Sequence, residues 1–134
     1  MEREGGCLCG AVRFTAVLKG AHIGACHCGM CRKWTGGPLM SITTELVRFD
    51  SDESLRCYPS SQWAERGFCT QCGSSLFYRL KGTGRTILAF GSLDDSSGFE
   101  LTHEVFVDER PSAYCFAGDQ EGLTGAEVMA KYRG

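Results

Sequence analysis

The sequence predicts a mainly β domain organised around metal-binding cysteines, and three observations carry that prediction. Short segments of alternating apolar and polar residues recur along most of the chain. Glycine, proline and small polar residues separate them at intervals too short for alternating crossover helices. The 134 residues include nine cysteines, seven of which fall into three groups at Cys-x-Cys or Cys-x-x-Cys spacing. The length fits a single domain over residues 1–134 with one modest core, to which a bound metal would add stability.

The first strand signal runs through residues 5 to 16, where Cys7, Cys9, Val12 and Phe14 alternate with other residues around a possible bend at Gly10. A second runs from His22 to Cys28 and leads into Arg32-Lys33-Trp34-Thr35-Gly36-Gly37-Pro38, which reads as a turn-rich pocket rim. Leu39 to Phe49 reads as a strand ended by Asp50-Ser51-Asp52, and Leu55 to Tyr58 as a short one stopped by Pro59. Ser75 to Leu80 and Thr86 to Phe90 form a hairpin about Gly82-Thr83-Gly84. Leu101 to Val107 is the last strand, with His103, Val105 and Val107 on one apolar face. His103 there reads as a structural histidine. Only Thr124 to Tyr132 has helical character, with Thr124 as N-cap and Glu127 at the capping-box position.

The formal net charge is −2 and the sequence pI about 5.9, with no run of Lys or Arg longer than two. That balance argues against nucleic-acid partners and anionic membrane surfaces. No apolar stretch approaches a membrane span and the N-terminus lacks an apolar signal core, so the expected location is cytoplasmic, with no membrane partner.

An odd number of cysteines without a secretory signal favours metal over disulfides, and cysteines two apart are strained disulfide partners. In an extended segment residues i and i+2 share a side, so Cys7 with Cys9, or Cys26 with Cys28, can grip one ion, while His27 points away from it. Cys69-Thr70-Gln71-Cys72-Gly73 is a knuckle whose glycine relieves the turn. Zinc best matches an all-thiolate set, with iron next. Joining Cys7 and Cys9 to Cys69 and Cys72 closes a four-thiolate site. Cys26, Cys28 and Cys31 remain as a three-thiolate site with a fourth position open, the mark of a catalytic rather than a structural zinc. Two alternatives stay open: a single structural zinc with some thiols spare, or a fourth ligand from Cys57, Cys115, His27 or His103.

From Gly5 to about Phe116 the sequence resembles the glutathione-dependent formaldehyde-activating enzymes, also called CENP-V/GFA domain proteins. The resemblance rests on Gly6-Cys7-Leu8-Cys9-Gly10-Ala11-Val12-Arg13-Phe14, Cys26-His27-Cys28-Gly29-Met30-Cys31-Arg32-Lys33 and Gly36-Gly37-Pro38. It continues through Ser60-Ser61, Arg66-Gly67-Phe68-Cys69-Thr70-Gln71-Cys72-Gly73-Ser74-Ser75-Leu76, Gly91-Ser92-Leu93-Asp94-Asp95 and His103-Glu104-Val105-Phe106-Val107.

The resemblance implies an Mss4-like fold of coiled antiparallel β-sheets. It also implies a four-cysteine zinc plus a three-cysteine zinc at which Cys26, Cys28 and Cys31 would be the catalytic set. The implied activity is that of a carbon-sulfur lyase, combining glutathione and formaldehyde reversibly into S-hydroxymethylglutathione, with glutathione as co-substrate and a small thiol or aldehyde as partner. Arg32, Lys33 and Arg66 would then offset thiolate charge or clamp glutathione carboxylates, or else be solvated surface. Ser60 and Ser61 would bond the peptide ligand, or else be turn residues. Trp34 and Trp63 read as core or pocket wall, and Cys57 and Cys115 as buried apolar thiols outside the family pattern. Family members often carry a Trp near Ala113-Tyr114. The alternative function is a non-catalytic zinc module serving protein interaction.

Overall fold

The structure, a computed structural model, describes residues 1–133. The chain is mainly β and divides into two compact units. The first comprises residues 1–21 and 42–99, and the second residues 22–41 together with Glu100 onwards.

In the first unit β1 (Glu2–Gly6) pairs antiparallel with β2 (Arg13–Leu18). Phe14, Ala16 and Leu18 fall on alternate positions of β2 and are all buried on one face. β2 pairs in turn with β4 (Leu39–Phe49), from Phe14 opposite Phe49 to Leu18 opposite Thr44, with a bulge at Val17/Leu18. β5 (Leu55–Tyr58), β6 (Ala64–Cys69), β7 (Ser75–Leu80) and β8 (Thr86–Ala89) form an antiparallel meander. Phe14, Ile42, Leu76, Phe77 and Leu88 are the largest fully buried apolar side chains of this unit. Phe49 joins Phe14 to Phe77, with ring centroids 5.9 and 5.5 Å away.

In the second unit β3 (His22–Cys26) pairs antiparallel with the first residues of β4, and parallel with β9 (Glu100–Val105). β10 (Glu121–Leu123) lies parallel to β9. The sheet is therefore mixed, where the resemblance implied antiparallel pairing. Gly24 of β3 lies under the His103 ring on β9, and a Cβ built there would meet His103 Nε2 at 2.2 Å.

The hairpin of β7 and β8 and the strands β4 and β5 form where alternation and turn residues place them. The capping box at the C-terminal helix forms as well: Glu127 N–H donates to Thr124 Oγ1 (3.2 Å) and Thr124 N–H to Glu127 Oε1 (3.0 Å), opening α2 (Gly125–Arg133).

Other elements differ from expectation. Residues 5 to 16 are not one strand; the chain turns between β1 and β2, and Cys7 and Cys9 sit in that turn. Residues 32–35 are not a loop but the end of α1 (Gly29–Thr35), closed by Gly36 at φ 85° in the left-handed region. The last strand stops at Val105, because Phe106 takes φ 55° and Val107–Glu109 form a 3-10 turn. His103 is exposed rather than set on a buried face, with Nδ1 3.0 Å from Thr102 Oγ1. Trp63 is 56% exposed, so it is no core residue, and Cys115 is exposed where an apolar buried thiol was expected.

Candidate functional site

Seven cysteines gather into two groups, within each of which all the sulfurs lie within 4.8 Å of one another: Cys7, Cys9, Cys69 and Cys72, and separately Cys26, Cys28 and Cys31. The first group belongs entirely to the first unit and the second entirely to the second.

The four-cysteine group is built by two turns. Cys7 N–H donates to Val12 C=O (3.0 Å) and Gly10 N–H to Cys7 C=O (3.3 Å), with Gly10 at φ 83°. Cys69 ends β6, and Gly73 N–H donates back to Cys69 C=O (2.9 Å) with φ 78°, closing the second turn. The Val12 and Gln71 N–H groups donate to the Cys7 and Cys69 sulfurs at 3.2 and 3.3 Å. Cys9 Sγ lies 3.6 Å from Cys7 Sγ and 3.8 Å from Cys69 Sγ. An S–S bond is only ~2.05 Å, so these are not disulfides. Tetrahedral zinc with Zn–S bonds of about 2.3 Å sets its sulfurs about 3.8 Å apart, and the observed spacing fits it.

Charge supports the same reading. The Ser74 hydroxyl, at 3.2 Å, and the Ser74 N–H hold the Cys72 thiol down to about 5. The Ala11 N–H lowers Cys9, but desolvation and the crowding of Cys7, Cys72 and Cys69 drive it up to about 11. Four sulfurs this close ionise together only around a cation.

The three-cysteine group occupies the corner between β3 and α1. Cys26 is the last residue of β3, Cys28 is the N-cap of α1, and Cys31 lies in its first turn. Cys31 N–H donates to Cys28 Sγ at 3.3 Å, so the capping role normally taken by an oxygen falls to a ligand-type sulfur. Cys28 first, and then Cys31 and burial, push the Cys26 thiol well above its ordinary value. Such a set again fits a soft divalent cation.

His27, between the two leading cysteines, is fully buried. Its N–H donates to Val105 C=O (3.1 Å), its C=O accepts from Arg32 Nε (2.9 Å), and its ring nitrogens lie 2.7 Å from Glu104 Oε1 and 2.9 Å from the Tyr114 hydroxyl. Both nitrogens are therefore engaged away from the sulfurs. Arg110 reaches the same Glu104 oxygen at 3.3 Å. The Glu109 carboxylate accepts the Gly29 N–H at 3.1 Å.

Residues 2–109 match the family model described as glutathione-dependent formaldehyde-activating enzyme. The chain belongs to that family. It is 31% identical over 130 residues to an uncharacterized lyase of Schizosaccharomyces pombe, covering 96% of this chain and 95% of that one. It is 32% identical over 139 residues to a Halomonas elongata protein described as "Putative glutathione-dependent formaldehyde-activating enzyme", with 88% of each chain covered. A crystal structure of a Rhodobacter sphaeroides protein shares the fold with a TM-score of 0.57 at 24% identity, over 68% of this chain and 87% of that one.

The residues that the formaldehyde-activating family resemblance marked for ligand binding divide between the units. Arg32 and Lys33 lie in the last turn of α1 beside the three-cysteine group, Arg32 half-buried and Lys33 exposed. Ser60, Ser61 and Arg66 lie in the first unit. Ser60 and Ser61 staple the turn before β6, Ser60 Oγ donating to Ala64 C=O (3.5 Å) and Ser61 Oγ accepting Ala64 N–H (3.1 Å). Arg66 is a buried residue of β6 opposite Tyr58. An open depression of about 630 Å³ in the first unit is lined by Lys19, Arg79 and Arg85, among others, and by none of the cysteines. Sequence reasoning missed Glu104 and Tyr114, although a carboxylate alternating into an apolar strand was a signal for the former. Among the described residues no helix is long and apolar enough to cross a membrane.

Proposed function

We propose that the chain is a zinc-dependent carbon-sulfur lyase acting on an aldehyde adduct of glutathione or another small thiol, such as S-hydroxymethylglutathione. Cys26, Cys28 and Cys31 hold the catalytic zinc, and Cys7, Cys9, Cys69 and Cys72 hold a structural one. The observation behind this reading is the contrast between the two groups. Among the described residues, no fourth His, Cys, Asp or Glu ligand atom joins Cys26, Cys28 and Cys31 within their 4.8 Å radius. His27 is tied to Glu104 and Tyr114 instead. The open position is left to the substrate.

A bound zinc would supply Lewis acidity, lowering the pKa of a thiol or polarising a carbonyl oxygen. In the forward direction the sulfur pair of the thiol forms a bond to the aldehyde carbon, the C=O π pair moves to oxygen, and the thiol proton ends there. Arg32 and Lys33 offset the negative charge of a three-thiolate site and attract the carboxylates of glutathione. Arg32 does so from a fixed position, since its Nε is anchored on the His27 carbonyl. The same reading treats the whole chain as one functional zinc domain working in the reducing cytoplasm.

The test is cobalt substitution followed by titration with glutathione. The reading expects two metals per chain and a change in the cobalt spectrum on adding the thiol. A spectrum indifferent to excess glutathione would argue against thiol binding at this centre.

A further inference from the structure

The strongest unused feature is the buried polar chain behind the three-cysteine group, and we propose that Glu104 and Tyr114, acting through His27, are positioning residues for it. This rests on the reading of Cys26, Cys28 and Cys31 as metal ligands. The two residues hold the imidazole between Cys26 and Cys28 and thereby set the sulfur geometry and the metal affinity of that centre.

Donor and acceptor roles form one consistent series. An ionised Glu104 only accepts, so Nε2 carries the hydrogen that reaches Oε1 at 2.7 Å. The tautomer with its hydrogen on Nε2 leaves Nδ1 to accept from the Tyr114 O–H, 2.9 Å away. Arg110 donates to the same Glu104 oxygen at 3.3 Å and balances its charge. The imidazole is fully buried, and the Tyr114 and Phe116 rings stand 5.6 and 5.9 Å from its centroid. Neither ring nitrogen is left to look for water or metal.

The backbone of the same residue is held as firmly. Its N–H and C=O bond Val105 and Arg32, so His27 is fixed at four points while Cys26 and Cys28 flank it. Loss of the ring anchors would leave the position of the His27 Cα to its two backbone bonds alone, and the peptide on each side of that Cα leads directly to Cys26 or Cys28. The strain at Phe106, a non-glycine residue at φ 55°, lies one residue past Val105 and two past Glu104, where the chain leaves β9 to bring Glu109 onto Gly29 N–H. The segment from Glu104 to Arg110 thus grips the cysteine loop at several points. Groups that hydrogen-bond metal ligands directly control affinity by about 10- to 100-fold, and the same range is expected of groups that hold the residue between two ligands.

The experiment measures zinc affinity by competition with a chromophoric chelator and records the thiolate-to-cobalt charge-transfer spectrum of the full chain. Wild type, Glu104→Ala, Glu104→Gln and Tyr114→Phe are compared. The glutamine keeps an oxygen to accept from Nε2, so it should stay within about threefold of wild type, while Glu104→Ala loses about 10- to 100-fold at one metal only. Tyr114→Phe, which removes a single hydroxyl and serves if Glu104→Ala does not fold, should lose a smaller factor at the same metal and shift its cobalt band. Unchanged affinity and spectrum in Glu104→Ala and Tyr114→Phe would overturn the proposal, as would equal weakening of both metals. A wild type that binds one metal in all would overturn the underlying two-centre reading along with it.

Discussion

His27 Nε2 lies 2.7 Å from Glu104 Oε1, a contact between residues 77 positions apart that joins the cysteine loop to β9. It separates His27 from the three cysteines around it. The sulfurs of Cys26, Cys28 and Cys31 converge on one point while the histidine among them belongs to the interior. Under the proposed function, removing one cysteine from each group should have different consequences. Cys28→Ser is expected to lose one zinc equivalent and keep its fold, by zinc analysis and circular dichroism. Cys69→Ser removes a fully buried sulfur that ties together two turns of the first unit, and it should lose the other zinc with about 3 kcal/mol or more of stability, roughly 10 °C in Tm. Equal, small changes in Tm for the two variants would contradict the division into catalytic and structural sites.

Gly67 and Gly24 both lie under an aromatic ring, and their substitutions separate a rigid neighbour from a movable one. A Cβ at Gly67 would sit 2.2 Å from Phe77 Cζ, and Phe77 is fully buried. Gly67→Ala should then cost about 1–3 kcal/mol by overpacking, and Phe77→Leu should recover part of that loss when combined with it. At Gly24 the opposing ring is His103, exposed and able to swing outward, so Gly24→Ala should cost less. Denaturant midpoints of the four variants decide it.

The guanidinium of Arg13 and the carboxylate of Asp94 form a two-pronged pair, with Nη1 3.0 Å from Oδ1 and a second contact between Nη2 and Oδ2. Arg13 first of all holds the Asp94 carboxyl below its ordinary range. Between the folded and unfolded values the unfolded chain binds more protons, so stability rises with pH there. The contribution is whole above about pH 4, the ordinary carboxylate value, and is lost as pH falls through the lower folded value. The difference in unfolding free energy between wild type and Asp94→Asn should thus be constant from pH 5 to 7 and shrink below pH 4. Because both groups are exposed, it should also shrink in high salt. A difference that grew on acidification would contradict the assignment.

What the sequence reveals and what it hides follow from range. β4, the β7–β8 hairpin and the capping box of α2 are encoded by neighbouring residues, and all three form where alternation and turn chemistry put them. The grouping of Cys7 and Cys9 with Cys69 and Cys72 was legible from ligand arithmetic, although they hang from turns rather than from a strand. α1 escaped because seven residues give too little periodicity. It is held by its ends, the Cys28 sulfur at one and Gly36 at the other. β6 escaped because Glu65, Arg66 and Gly67 break its apolar alternation. Glu104 and Tyr114 were hidden for another reason: their meaning depends on a histidine that topology alone brings near.

Arg32 and Lys33 are adjacent cations in one turn of α1, but only Arg32 is bonded to the loop that carries the cysteines. Removing Arg32 therefore takes away a charge and an anchor of the His27 carbonyl together. Removing Lys33, which is exposed, takes away a charge alone. Under the proposed function, Lys33→Gln should raise KM for glutathione adduct formation by about threefold, the effect of ~0.5–1 kcal/mol expected of one exposed charge, with zinc content and Tm unchanged. The effect should fade in high salt, because an exposed charge is screened. Arg32→Gln should raise KM by a similar factor and in addition weaken retention of the metal at the three-cysteine centre, a loss that salt does not remove. Arg32→Lys should restore the charge without restoring the planar Nε contact, leaving KM near wild type and metal retention impaired. If Lys33→Gln and Arg32→Gln behaved alike in both KM and metal retention, the bond from Arg32 to His27 would have no role in the site.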